Sequence, residues 1–156
     1  MLSLELQTPE DQEALGGRLA QVLDGGAVIF LHGDLGAGKT TLARGLLRGL
    51  GHSGPVRSPT YTLLEPYLLD ERNVFHLDLY RLTDPEELEY LGIRDLLEQN
   101  ALLLVEWPDR GTGALPAPDL AIHIRHLPDG RFLELVPHTK IGMELLERLP
   151  PLAGQA

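Results

Sequence analysis

The chain predicts an α/β layer fold with a mainly parallel sheet and antiparallel edge strands, and three observations carry that expectation. Ala27-Val-Ile-Phe-Leu31 is a short apolar run rich in β-formers, and a glycine-rich loop followed by helical spacing comes directly after it. Ala101-Leu-Leu-Leu-Val105 is a second run of the same kind. Helical stretches separate these runs, an alternation that places helices on the faces of a parallel sheet. At 156 residues the chain suits a single domain spanning 1–156, with a sizeable core and little room for a separate substrate domain or lid.

Thr8-Pro-Glu-Asp opens the first helix. Thr8 supplies a capping hydroxyl, Pro9 suits the first helical position, and Glu10 and Asp11 complement the positive end of the helix. The helix is expected to run to about Leu23 and to stop at Gly25-Gly26. The Ala27–Leu31 strand follows, then the loop and a helix over Thr41–Leu50 that ends at Gly49 to Gly51. Residues 51–60 are rich in turn formers. Tyr61–Tyr67 and Asn73–Asp78 read as paired strands, with Leu69 to Arg72 turning between them. Asp84-Pro-Glu-Glu-Leu-Glu-Tyr-Leu starts another helix, with an Asp cap and Pro at its first position. Ala101–Glu106 is a fully buried strand. Leu120–His126 and Arg131–Val136 flank Pro128-Asp-Gly130 as a hairpin, and Lys140–Leu149 is a final amphipathic helix. The hairpins are expected to add antiparallel strands at an edge. No internal repeat or linker divides the chain.

Hydrophobic residues make up 43% of the sequence, so a packed core is expected. The longest apolar runs are far too short to span a bilayer, and the first residues carry no basic region followed by an apolar core. Cysteine is absent, which excludes disulfides and thiolate metal sites and fits a cytoplasmic location. Thirteen basic against 23 acidic residues leave a net charge of −10. Such a surface repels a nucleic-acid backbone, so any nucleic acid is expected to be held by another subunit.

Gly33-Asp34-Leu35-Gly36-Ala37-Gly38-Lys39-Thr40 meets G-x-x-x-x-G-K-[ST] in full, with Thr41 following. Strand, glycine loop and helix present backbone N–H groups and a helix N-terminus to phosphate. This context narrows the expected fold to a P-loop NTPase-like three-layer arrangement. Lys39 supplies a point charge to the β/γ phosphates, and is expected to be exposed and unpaired until nucleotide arrives; the Thr40 hydroxyl suits Mg²⁺. Turnover needs more, above all a carboxylate at the end of a neighbouring strand. Asp78 and Glu106 each end a strand-like run, where ligands bind in open α/β sheets. Spacing leaves open which of them ligates the metal directly, acts through water or orients the attacking water.

Ser58-Pro-Thr-Tyr-Thr62 lies where a switch segment would, so Thr60 or Thr62 either approaches the γ-phosphate or simply opens a strand. Arg81 follows Asp78 by three residues and reads as a transition-state cation or, more commonly for its type, as a surface ion-pair partner. Trp107 packs near nucleotide or closes the core, with the core reading favoured. His123 and His126 lack a third ligand or nucleophile partner and read as structural. Three activities compete: an ATPase, a small-molecule P-loop kinase, and a nucleotide-gated binding module with negligible turnover. The acidic segment after Asp84, without clustered arginines, argues against the kinase.

Gly33–Thr41, Ser58-Pro-Thr-Tyr-Thr-Leu63, His76-Leu-Asp-Leu-Tyr-Arg-Leu82 and Val105-Glu-Trp-Pro108 occur in that order. Together, from about Gly16 to about Val136, they closely resemble the TsaE (formerly YjeE) family, the bacterial ATPases of tRNA threonylcarbamoyladenosine synthesis. The resemblance implies that Gly33, Asp34, Leu35, Gly36, Ala37, Gly38, Lys39, Thr40 and Thr41 hold the ATP phosphates. It implies that Thr40 and Glu106 bind Mg²⁺, and that Asp78 joins Lys39 and Glu106 in the catalytic centre. It further implies action with TsaB and TsaD, where TsaD transfers the threonylcarbamoyl group to adenosine 37 of tRNAs that read codons starting with A. ATP hydrolysis, weak in the isolated subunit, would reset that complex, and tRNA would be reached only through it.

Overall fold

The computed structural model describes residues 1–59, 61–97 and 100–150. Strand β1 (Leu2–Leu6) opens the chain. Sequence reasoning left it unassigned, although Leu2, Leu4 and Leu6 alternate as a half-buried strand requires. Helix α1 (Pro9–Val22) starts as expected. The Thr8 hydroxyl accepts from the Asp11 N–H at 3.1 Å, and the Asp11 carboxylate accepts from the Thr8 N–H at 3.3 Å, closing a capping box. β2 (Ala27–Gly33) and α2 (Lys39–Gly49) flank the glycine loop. β3 (Leu64–Leu69) and β4 (Arg72–Asp78) form a hairpin. Short helices α3 (Glu86–Tyr90) and α4 (Ile93–Leu97) follow, then β5 (Leu102–Glu106) and a single 3₁₀ turn at Pro108–Gly111. β6 (Leu120–Leu127), β7 (Gly130–Pro137) and α5 (Lys140–Arg148) complete the described chain.

Three boundaries differ from expectation, each for a local reason. The β3–β4 turn is confined to Asp70 and Glu71, both in the left-handed region (φ 49° and 67°), as a two-residue hairpin turn requires. β3 begins later than Tyr61, because the Leu63 N–H turns back to the Pro59 carbonyl at 2.8 Å and Leu63 itself adopts φ 66°. The helix after Asp84 is split at Gly92 (φ 71°), and it begins at Glu86 with Pro85 as its N-cap, the Glu86 N–H donating to the Asp84 carboxylate at 3.0 Å.

The seven strands form one sheet in the order β1-β7-β6-β2-β5-β4-β3. The four central strands, β6, β2, β5 and β4, are parallel, and the antiparallel strands lie on both sides of them. α1, α2 and α5 cover one face through a core that includes Leu15, Leu19, Leu42, Leu46, Leu104 and Ile122. A smaller core of Phe75, Leu77, Leu103 and Val105 packs under α3 and α4 on the other. The result is a three-layer α/β fold. Among the described residues no helix is long and apolar enough to cross a membrane.

α1 and α2 cross unusually closely. A Cβ on Gly16 would lie 2.3 Å from the Leu42 carbonyl oxygen, and one on Gly45 would lie 2.0 Å from that of Glu13. This approach brings the N-terminal turn of α1 against the glycine loop.

Candidate active site

β2 ends at Gly33 and α2 starts at Lys39, so the loop between them wraps the N-terminus of a helix. Gly36 (φ 77°) and Gly38 (φ 107°) take backbone conformations that a side chain disfavours, and Gly38 is the helix N-cap. The loop borders a cleft of about 260 Å³, lined by residues 35–41 together with Ser58, Asp78, Glu106 and Trp107. Parallel pairing sets Asp78 directly opposite Glu106 at the carboxyl ends of β4 and β5. Both strand-end acids therefore reach the cleft, and both are buried.

The Thr40 hydroxyl donates to Glu106, with Oγ1 3.0 Å from Oε1 and 3.1 Å from Oε2. Glu106 Oε2 also lies 2.6 Å from Nε2 of the fully buried His76. One Asp78 oxygen accepts from the Tyr80 N–H at 3.0 Å. A buried carboxylate and a hydroxyl at this spacing are hard oxygen donors, the chemistry Mg²⁺ requires. Among the described residues no group of three or more His, Cys, Asp or Glu side chains could hold a metal. A Mg²⁺ ion held by Thr40 and Glu106 would complete its shell with phosphate oxygens and water.

Lys39 differs from expectation: it is buried, at 5% exposure, and well partnered. Its ammonium donates to the Gly33 carbonyl at 2.5 Å and the Asp34 carbonyl at 3.0 Å, and lies 4.2 Å from the centre of the Trp107 ring. The reason is geometric, since a loop tight enough to cradle phosphate turns its own carbonyls toward the side chain that follows it. Loss of hydration holds the Lys39 pKa below the ordinary lysine value, while the Glu106, Asp78 and Asp34 carboxylates pull the other way. Trp107, with φ 56°, both packs against the smaller core and lines the cleft, and its ring lies 5.0 Å from that of Tyr80.

The remaining candidates separate. Ser58 lines the cleft. Thr62 lies in an exposed turn and donates to Glu65 at 3.1 Å, while Thr60 lies outside the described residues. Arg81 is exposed, stacks on Tyr61 at 4.5 Å and is not among the residues lining the cleft. His123 stacks on His32 with 4.4 Å between ring centres, and His32 is held below the ordinary imidazole pKa by burial first and by His123 second.

Two residues escaped sequence reasoning. Gln12 on α1 is buried and donates to the Ala37 carbonyl at 2.9 Å, bracing the loop from behind. Its contact depends on a crossing of two helices that no local pattern records. His76 was legible in principle, because it lies two residues before Asp78 on one strand and so shares its face.

A family model described as Threonylcarbamoyl adenosine biosynthesis protein TsaE matches residues 6–132, a span that holds Gln12, the loop, both acids and Trp107. This chain belongs to the TsaE family. Similar proteins named "tRNA threonylcarbamoyladenosine biosynthesis protein TsaE" include that of Haemophilus influenzae, 43% identical over 153 residues that cover 94% of this chain and 97% of the relative. The Aquifex aeolicus relative of the same name is 41% identical over 107 residues, covering 67% and 75%. The crystal structure of Bacillus subtilis YdiB superimposes with a TM-score of 0.81 at 29% identity, covering 96% of this chain and 95% of that one. Family membership ties the chain to tRNA threonylcarbamoyladenosine biosynthesis, and with the phosphate-loop fold it supports nucleotide binding and hydrolysis.

Proposed function

We propose that this chain is the ATP-binding and ATP-hydrolysing subunit that sustains threonylcarbamoylation of adenosine 37 in tRNA, acting with TsaB and TsaD. The observation that carries the reading is the Thr40–Glu106 contact at the mouth of a complete phosphate loop, with Asp78 in register beside it. Gly33 to Thr41 grip the phosphates through backbone N–H groups and the helix N-terminus. Lys39 exchanges its carbonyl partners for phosphate oxygens. Thr40 and Glu106 hold Mg²⁺, which when bound neutralises charge on the phosphates and fixes their orientation. Asp78, level with Glu106 on the next strand, orients the attacking water. Arg81, packed on Tyr61, supplies no cation to the cleft in this arrangement, which fits slow turnover alone and a site completed by a partner. The charge of −10 leaves tRNA to the other subunits.

The test is reconstitution with TsaB, TsaD, tRNA and threonylcarbamoyl donor, counting modified tRNA per complex. Repeated turnover is expected only with this chain and ATP. A folded Lys39→Ala variant should lose the effect, because one charge-assisted contact accounts for about 10- to 100-fold in affinity. Equal multiple turnover without the chain, or with Lys39→Ala, would refute the proposal.

A further inference from the structure

We infer that His76 is a positioning residue for the metal site: its buried imidazole holds the Glu106 carboxylate in the orientation that meets Thr40, and so sets the affinity of the site for a divalent cation. The inference rests on the Thr40–Glu106 reading above. Val74, His76 and Asp78 share the face of β4 that packs toward α2, where Val74, Leu102 and Leu104 belong to the core. Register places His76 opposite Leu104, so Glu106 is its diagonal neighbour, within reach of a long side chain. An apolar residue at position 76 would pack there at no electrostatic cost, whereas a buried polar group is unfavourable unless it is hydrogen-bonded.

His76 is 0% exposed and makes one polar contact among the described residues, the 2.6 Å bond to Glu106. Among the described residues its buried Nδ1 has no hydrogen-bond partner. A carboxylate that already accepts from Thr40 can only accept again, so the imidazole carries a proton on Nε2 and donates it to Glu106. The imidazole therefore has one polar task, to fix a carboxylate whose three side-chain torsions would otherwise have to be ordered by the cation itself. Partners of metal ligands in this position typically govern metal affinity by about 10- to 100-fold.

The test uses Mn²⁺ as a spin-active probe, titrated into protein saturated with a non-hydrolysable ATP analogue. Gln at position 76 can place an amide N–H near the site of Nε2, whereas Asn is too short. H76N is expected to weaken Mn²⁺ binding about 10- to 100-fold. H76Q should recover much of the affinity, and binding of the analogue in EDTA should be unchanged in both variants. Wild-type Mn²⁺ affinity in folded H76N would overturn the inference. E106Q separates the two levels. Unchanged Mn²⁺ affinity in E106Q sinks the metal site itself and the inference with it. Weakened binding in E106Q alongside normal binding in H76N sinks only the role of His76. Imidazole ¹⁵N spectra of the wild-type protein give a readout that needs no variant: a protonated Nε2 is expected, and a bare Nε2 would overturn the assignment.

Discussion

The Lys39 ammonium is drawn inward onto the carbonyls of its own loop. The motif names it, but its burial beneath Gly33, Asp34 and Trp107 follows from how tightly the loop closes. Gln12 is the converse case, a residue with no motif whose amide completes the loop from α1. Its Nε2 satisfies the buried Ala37 carbonyl, and its side chain fills the space that a Cβ on Gly38 would need. Gln12→Leu keeps the bulk and removes the donor. Leaving a buried carbonyl unsatisfied costs about 1–3 kcal/mol, so the urea midpoint is expected to fall by a corresponding amount with an unchanged slope. A midpoint equal to wild type would show that water replaces the amide and that the brace is dispensable.

At the scale of elements, most of the fold was legible because its signals are local. Thr8-Pro9 with Asp11 marks the start of α1, and the all-apolar Ala27–Leu31 and Ala101–Val105 runs mark the central strands. β1 was missed although Leu2, Leu4 and Leu6 alternate, and its place at the edge depends on pairing with β7, far along the chain. The break at Gly92 was missed because an isolated glycine within a helical pattern is usually tolerated. Both acids of the site were legible as strand ends, but their direct opposition depends on β4–β5 register, which no local pattern contains. The α1–α2 crossing was equally hidden, and it supports a sharp expectation for two adjacent residues. A Cβ on Gly16 would meet the Leu42 carbonyl at 2.3 Å, whereas one on Gly17 has its nearest neighbour at 3.9 Å. Gly16→Ala should destabilise by about 1–3 kcal/mol or more through overpacking. Gly17→Ala should be neutral or stabilising by up to about 1 kcal/mol through helix propensity. Thermal unfolding of the two variants checks the sign of each, and equal effects would mean that the helices are not packed this closely.

For the molecule as a whole, the parallel centre of the sheet brings the glycine loop, Asp78 and Glu106 to one end, while the antiparallel strands on either side extend the sheet away from it. The net charge of −10 opposes direct association with an RNA backbone. Everything proposed for the chain depends on a metal-assisted ATPase centre built from Thr40, Asp78 and Glu106. The most direct measurement is phosphate release from ATP in the presence of TsaB and TsaD, with Mg²⁺ titrated, for the wild type, Glu106→Ala and Asp78→Ala, alongside equilibrium ATP binding. The loop backbone grips the phosphates while the carboxylates act on charge in the transition state, so Glu106→Ala should retain most ATP affinity and lose about 100-fold or more in turnover. Mg²⁺-dependent turnover at the wild-type rate in both carboxylate variants would contradict the account.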